Sequence, residues 1–361
     1  MYDKTTQFPD AYALLRKTSL SVTNMGLYLG GIFAPRSFFM RRLSLLIAAA
    51  FCLISGSGMA QGNYPNKPIR LVIGFSPGGA ADYVARSMSD AFGKALGQPV
   101  VVENKQGNGS SLAADLVAKA APDGYTLLIA SPSSISVNPA LNPKVSAKPG
   151  DLAPVTKITT SPLVLAVNPS TGIQSVQDLV AFALKDPGKL NYASSGNGSA
   201  PHLGAALFTK LTGTQMTHIP YKGGSLALQS LIAGDTQVSF GTAPSVLPHA
   251  SGGRIRVLAV STRERSALMP DLPGMREAGL PDYNLEFWYG IFVPTGTPTP
   301  VVRKLFDAAV GVMQQPTVKA ALAREGTEVA LSASPEAFER FLVEDGKFWV
   351  NLVRSAKVSV D

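Results

Sequence analysis

Residues 69–75 form an apolar run of the kind expected for a strand buried on both faces, and it stops at a Ser76-Pro77-Gly78-Gly79 turn. Directly after the turn, Val84, Met88, Phe92 and Leu96 recur at helical spacing, with Gly97 where a C-terminal cap belongs. A short strand at 100–102, a helix carrying Leu112 and Leu116, and a strand at 125–130 complete a β-α-β-α-β unit. Connections this short imply a parallel sheet with right-handed crossovers. The pattern restarts at 163–167, and a helix at 175–185 opens with Ser175 and Asp178 as a capping pair. Strands are predicted at 190–194, 217–221, 236–240 and 255–260, with helices at 201–211 and 225–233 between them. A long strand at 284–293, helices at 301–314 and 317–324, a short strand at 328–331 and a helix over 335–353 follow. The expected fold is α/β, with two lobes that are each a mainly parallel sheet flanked by helices. Residues 61–163 and 284–361 are assigned to the first lobe and 164–283 to the second.

Two loops in this pattern carry the same device. A strand, a glycine turn and a helix start at 74–80 aim free backbone N–H groups and a positive helix end at one spot, which favours an anion. The segment Leu190-Asn191-Tyr192-Ala193-Ser194-Ser195-Gly196-Asn197-Gly198-Ser199 repeats the arrangement in the second lobe. Ligands of open α/β sheets sit outside the carboxyl ends of the strands, which adds Ser131 to Ser134 and Thr242-Ala243-Pro244-Ser245 as candidates. Phe287 and Tyr289 fall on one face of the long strand and Trp288 on the other, either as core or as a wall of the cleft.

The N-terminal sixty residues follow a different logic. Met40-Arg41-Arg42, an apolar run at 43–54 and the small-residue site Gly58-Met59-Ala60 match a secretory signal peptide at about 40–60. Translation from Met40 is expected, with 1–39 an over-extended reading frame. The one cysteine of the 361 residues, Cys52, lies inside the apolar run, so processing leaves a chain without thiols. Processing also removes six basic and two acidic residues and lowers the net charge from +8 to +4. No basic run or arginine–aromatic ladder remains, which argues against nucleic acid as a partner.

Catalytic signatures are missing from the rest. Gly107-Asn108-Gly109 and Gly196-Asn197-Gly198 lack the third glycine of a dinucleotide fingerprint, and neither a phosphate loop nor a Gly-x-Ser-x-Gly elbow is present. The three histidines, His202, His218 and His249, lack metal-ligand spacing. His218 is expected to be structural, while His202, in the first turn after the second loop, is placed either to reach a ligand or to be structural as well. Asp82, in the first helical turn, is placed to brace the Ser76–Gly79 turn. No catalytic residue, metal or cofactor is therefore assigned.

Several ordered motifs carry a family resemblance. They are 69–86, Val102-Glu103-Asn104-Lys105 with Gly107 and Gly109, Ala121-Pro122-Asp123-Gly124-Tyr125-Thr126-Leu127, the segment 190–199, Pro220-Tyr221-Lys222-Gly223, Pro244-Ser245, and Leu258-Ala259-Val260 before Leu272-Pro273. Together they resemble the Bug-type extracytoplasmic receptors of tripartite tricarboxylate transporters, over about 300 residues. The resemblance implies a monomeric, two-lobed periplasmic binding protein of the Venus-flytrap type, which closes on a carboxylated solute and delivers it to a two-subunit membrane permease. It further implies that backbone groups hold one carboxylate at Phe75, Pro77, Gly78 and Gly79 and at Ser194, Ser195, Asn197, Gly198 and Ser199. Ser131, Ser133, His202 and Thr242 are secondary candidates. Many such receptors carry an acidic or amide residue after the strand that ends here at Phe240. This chain has Gly241-Thr242, which favours a plain or aromatic carboxylate over an amino acid. A module that signals to a membrane kinase is the alternative to uptake.

Signal peptidase is expected to cut after Ala60, so that the exported chain begins at Gln61. N-terminal sequencing of periplasmic protein checks this, and a membrane-held chain retaining Met40 contradicts it.

Overall fold

The computed structural model describes residues 64–142, 147–356 and 358; the signal segment, its cleavage site and Cys52 lie outside the described residues. Strands β1 (Ile69–Ile73), β2 (Val100–Asn104) and β3 (Thr126–Ala130) pair in parallel in the order β2-β1-β3. Helices α1 (Ala80–Leu96) and α2 (Ser111–Ala118) make the crossovers. Gly97 caps α1 in the left-handed conformation, as the helical period required. After a short α3 (Asn138–Leu141) comes β4 (Leu152–Val167), then α4 (Val176–Lys185). Ser175 Oγ accepts from Asp178 N at 3.0 Å to start α4.

A second parallel trio repeats the first. β5 (Asn191–Ser194) lies between β6 (Thr217–Pro220) and β7 (Val238–Thr242), with α5 (Ala200–Thr212) and α6 (Gly224–Ala233) as crossovers. The chain continues through α7 (Ala243–Ala250), β8 (Arg256–Val260) and β9 (Glu286–Pro294). It ends with α8 (Thr299–Met313), α9 (Pro316–Arg324), β10 (Glu328–Val329) and α10 (Pro335–Ser355). The architecture is two-lobed α/β. In each lobe antiparallel strands complete the parallel trio on the side where the lobes join.

The join is made by β4, which is sixteen residues long rather than the five read from the sequence. Its first part pairs with β9 as far as Pro162, and from Leu163 onward it pairs with β7 and β8. Pro162 has no N–H for a ladder, so the strand changes partners where a hydrogen bond is already missing. Pro154 and the polar run from Thr156 to Ser161 hide this half-buried strand from a search for apolar runs. α7 escaped the sequence reading for a similar reason, since it carries Pro244 in its first turn and Pro248 in its interior.

Ser261 pins this junction. It is fully buried, and its Oγ accepts from Leu163 N at 2.7 Å and donates to Leu285 O at 2.5 Å. Its backbone bonds the same two residues, through Ser261 N to Leu163 O at 2.8 Å and Leu285 N to Ser261 O at 2.9 Å. One serine thus fastens β4, the end of β8 and the approach to β9. On β9, Trp288 points away from Phe287 and Tyr289, packs edge-on against Phe338 and Phe341 of α10, and donates to Asp345 Oδ2 at 2.9 Å.

Removing the Ser261 hydroxyl leaves a buried N–H and C=O unpaired, so Ser261→Ala is expected to destabilise the fold by about 1–3 kcal/mol. Urea unfolding reads the loss, and wild-type stability in the variant contradicts the assigned role.

Candidate functional site

β1 ends at Ile73, and Gly74 lets the chain pass Ser110, whose Oγ would lie 1.9 Å from a side chain at that position. Gly78 takes the left-handed conformation the turn needs (φ +74°). Gly79, the residue before α1, is extended, so the turn does not demand glycine there for its dihedrals. Asp82 braces the turn as the sequence implied. Its carboxylate accepts from Gly78 N at 3.0 Å, Asn104 Nδ2 at 3.0 Å and Arg86 Nε at 2.9 Å, and Asn104 Nδ2 also donates to Phe75 O at 3.1 Å. Burial raises the Asp82 pKa, but the bonds from Arg86, Gly78 and Asn104 outweigh it and hold the carboxyl below its ordinary value. The brace is ionised and already neutralised by Arg86, so it does not cancel the positive end of α1.

The second loop is held from behind by two histidines. Ser194 Oγ lies 2.6 Å from His218 Nε2 and accepts from Gly196 N at 3.1 Å, and Gly198 N donates to His202 Nδ1 at 3.1 Å. The two imidazoles stack at 3.8 Å, and Tyr192 stacks on His218 at 4.9 Å. Burial lowers His202 to about 3, with His218 adding to the effect, and lowers His218 to about 4. Both rings are therefore neutral at neutral pH. The sequence showed no nucleophile–base pair, yet Ser194 and His218 form one by distance. Ser194 is fully buried and absent from the cleft lining, so the pair holds the loop instead of facing a solute.

Between the two loops lies a pocket. Phe75, Gly79, Ala80 and Ala81 line one side, and Ser195, Ala200 and Pro201 face them from the start of α5. Gly224, Ala227 and Leu228 of α6 and Thr242, Ser245 and Val246 around α7 add two further walls, while Phe287 and Tyr289 of β9 close the base. The first turns of α1, α5, α6 and α7 all open here, and none has a side-chain cap. The Thr242 hydroxyl is spent on Ser245 Oγ at 3.0 Å and caps nothing. Away from the pocket, α4 and α10 are capped by serine, whereas α2, α8 and α9 have no side-chain cap. Each helix start carries roughly half an elementary charge, so all four favour an anion in the pocket. No lysine, arginine or histidine lines it, and no aspartate or glutamate. The attraction for an anion comes from the backbone.

The lobes touch on both sides of this pocket. Ser76 Oγ lies 2.8 Å from Ser225 Oγ, which also donates to Pro77 O at 3.0 Å. On the other side Gly109 packs against the 196–197 backbone so closely that a Cβ would lie 2.3 Å from Asn197 O.

Of the residues expected from sequence, Phe75, Gly79, Ser195 and Thr242 line the pocket together. Pro77 and Gly78 are exposed and outside its lining, and Gly78 borders a separate hollow with Ser225 and Pro244. Ser194, Gly198 and His202 stand behind the second loop, and Asn197 and His202 line a separate outer hollow with Tyr192 and Met216. Ser131, Ser133 and Ser199 are buried, and the hydroxyls of Ser131 and Ser199 have no partner. Gly224, Ala227, Leu228 and Val246 were not foreseen, because their chemistry is only backbone and methyl groups. Phe287 and Tyr289 carried a signal, their shared face on the long strand. Among the described residues no group of three His, Cys, Asp or Glu is placed to hold a metal, and no helix is long and apolar enough to cross a membrane.

A family model described as "Tripartite tricarboxylate transporter family receptor" matches residues 84–357. The chain is similar to Protein BugT of Bordetella pertussis, 33% identical over 318 residues that cover 86% of this chain and 97% of that protein. It is similar to the solved structure of an R. palustris protein with adipate, at TM-score 0.79 and 31% identity over 82% of this chain and 99% of that one. A further likeness is to MatC from Rhodopseudomonas palustris with bound malate, at TM-score 0.75 and 30% identity over 80% of this chain and 100% of that one.

The depressed histidines set a pH dependence. The unfolded chain binds protons at His202 and His218 below about pH 6.5 while the native chain does not, so stability falls with pH from there towards 4. Unfolding titrations are expected to lose stability on this account from about pH 6.5 downwards, offset in part below pH 6 by Asp345, whose burial raises its pKa to about 6 so that the native chain takes up that proton before the unfolded one. The double variant His202→Gln/His218→Gln is expected to lack the loss and keep the Asp345 contribution. A wild-type profile that matches that of the double variant contradicts the assignment.

Proposed function

The chain belongs to the tripartite tricarboxylate transporter receptor family, and on that premise we propose that it captures a carboxylate in the pocket between its lobes and delivers it to a membrane permease. Four uncapped helix starts opening onto a pocket without a charged side chain carry this reading. Backbone N–H donors fix a carboxylate by direction as well as charge. Phe75, Val246, Leu228 and Phe287 give the solute's body an apolar wall, and no acid is present in the lining to pair with an amine. The adipate and malate held by two similar proteins set the class of solute to try first.

The remaining parts of the reading follow from the same premise. The receptor acts as a periplasmic monomer after loss of its signal peptide, binds without converting its solute, and meets a permease of one large and one small subunit. Residues 61–163 and 284–361 form one lobe and 164–283 the other, with β4 and the approach to β9 as the hinge. The carboxylate contacts are placed at Phe75, Gly79, Ser195 and Thr242, with the unpartnered hydroxyl of Ser199 close behind at the start of α5.

Calorimetric titration of the processed chain with adipate, malate, citrate and benzoate is expected to show one-to-one binding of at least one, and mass spectrometry to recover that acid unchanged. Gly79→Val keeps an allowed backbone and sets a branched side chain into the pocket, 3.3 Å from Ser76 O at its Cβ. Loss of one or two charge-assisted hydrogen bonds then weakens affinity about tenfold to several-thousandfold. A folded Gly79→Val chain that binds as tightly as wild type removes the α1 start from the site.

A further inference from the structure

Ser225 is the second residue of α6, and it takes no part in lining the pocket. Its side chain reaches across the cleft instead. Ser225 Oγ donates to Pro77 O at 3.0 Å and lies 2.8 Å from Ser76 Oγ. A hydroxyl has one proton, so with that of Ser225 on Pro77 O the Ser76 hydroxyl is the donor in the second contact. The backbone beside it is fitted to the same contact. Gly223 has φ +154°, and a side chain there would overlap the Ser76 hydroxyl. The turn that receives these bonds is itself fixed, since Asp82 accepts from Gly78 N and Asn104 Nδ2 donates to both Asp82 and Phe75 O. A bond to this turn is therefore a bond to the α1 start. Three helix starts meet at the place where Ser225 makes it. A Cβ on Gly79 would lie 3.9 Å from Gly224 N, and one on Gly224 would lie 3.0 Å from Ser245 Oγ and 3.9 Å from Thr242 Oγ1.

We propose that Ser225 is a positioning residue for the anion site, which fixes the α6 start against the α1 start so that backbone donors from both lobes face one carboxylate. This rests on the carboxylate reading of the pocket. Ser225 does not touch the solute and acts on it through the two helix starts. Backbone donors cannot follow a ligand as a lysine side chain does, so their mutual angle has to be held by the fold. With the Ser76–Ser225–Pro77 bonds in place, that angle is set by the protein. Without them, the ordering of one lobe against the other is taken from the binding free energy. The bonds lie across the cleft and must break before the lobes part, so they also slow release of the solute.

The test is calorimetric titration of wild type, Ser225→Ala and Ser355→Ala with adipate, malate, citrate and benzoate, with circular dichroism to check folding. Ser355→Ala is the control, because it removes the exposed bond from Lys210 Nζ to Ser355 Oγ, which joins the lobes outside the pocket lining. Ser225→Ala is expected to raise Kd about three- to thirtyfold for the acid that wild type binds most tightly, and Ser355→Ala to stay within about twofold. The chain from Gln61 onward has no cysteine, so Ser76→Cys/Ser225→Cys supplies a lone thiol pair at the contact. Acid bound before mild oxidation of this variant is expected to survive dialysis and to leave on reduction. A serine that only supports the fold gives no such redox-controlled release. A Ser225→Ala Kd within twofold of wild type or matched by Ser355→Ala, thiols that do not join, or an oxidised variant that frees its acid as readily as the reduced one overturns the assignment and leaves the carboxylate reading standing. A wild-type chain that binds none of the four acids overturns both.

Discussion

A helix start leaves backbone N–H groups that must find partners, and in this protein four such starts at the pocket have no side-chain cap. The constraint organises much of what surrounds them. No side-chain cap occupies these four starts, which leaves their donors open to the pocket. Charged side chains are kept out of the lining, so no fixed counter-ion competes for them. The one acid in the first turns of these four helices, Asp82, is tied to Arg86 and Asn104 and faces the turn it braces. A site of this kind is sensitive to geometry. Moving a helix start by an ångström misdirects its donors, whereas a flexible lysine would follow the ligand.

The rest of the structure supplies that geometry. Two parallel trios each bring helix starts to the carboxyl edge of a sheet, and β4 with β9 joins them. Ser261 holds the junction with side-chain and backbone bonds to Leu163 and Leu285. Glycines at 109 and 196 let the facing loops approach to backbone contact, where any side chain would hold them apart. The histidine pair stiffens the second loop while staying uncharged, so it adds rigidity without placing a fixed cation beside the pocket.

Much of this was legible in the sequence, for a physical reason. Continuous apolar runs such as 69–75 and amphipathic stretches such as Val84 to Leu96 report burial directly, and burial decides the parallel trios and their crossovers. The glycine and serine turns at 76–79 and 194–199 marked both loops that border the pocket. What stayed hidden depends on partners far along the chain. The polar, proline-bearing half of β4 becomes a strand because β9 lies beside it. α7 survives its prolines because one sits in the first turn, where its missing N–H costs little. Tyr289 reads as core on its strand, and only the pocket it lines shows its second face. Ser133 and His202, assigned by resemblance to the ligand, lie under or behind the loops that line the pocket, because a loop motif does not say which of its residues turns inward.

The central claim is that backbone donors at helix starts, not charged side chains, hold the solute. Amide NMR of the processed chain tests it most directly, by titration with the tightest binder among adipate, malate, citrate and benzoate. The amide protons of Ala80, Ala200, Gly224 and Ser245 are expected to move downfield together as a carboxylate takes up their hydrogen bonds. Saturable binding that leaves these four amides unmoved contradicts the account.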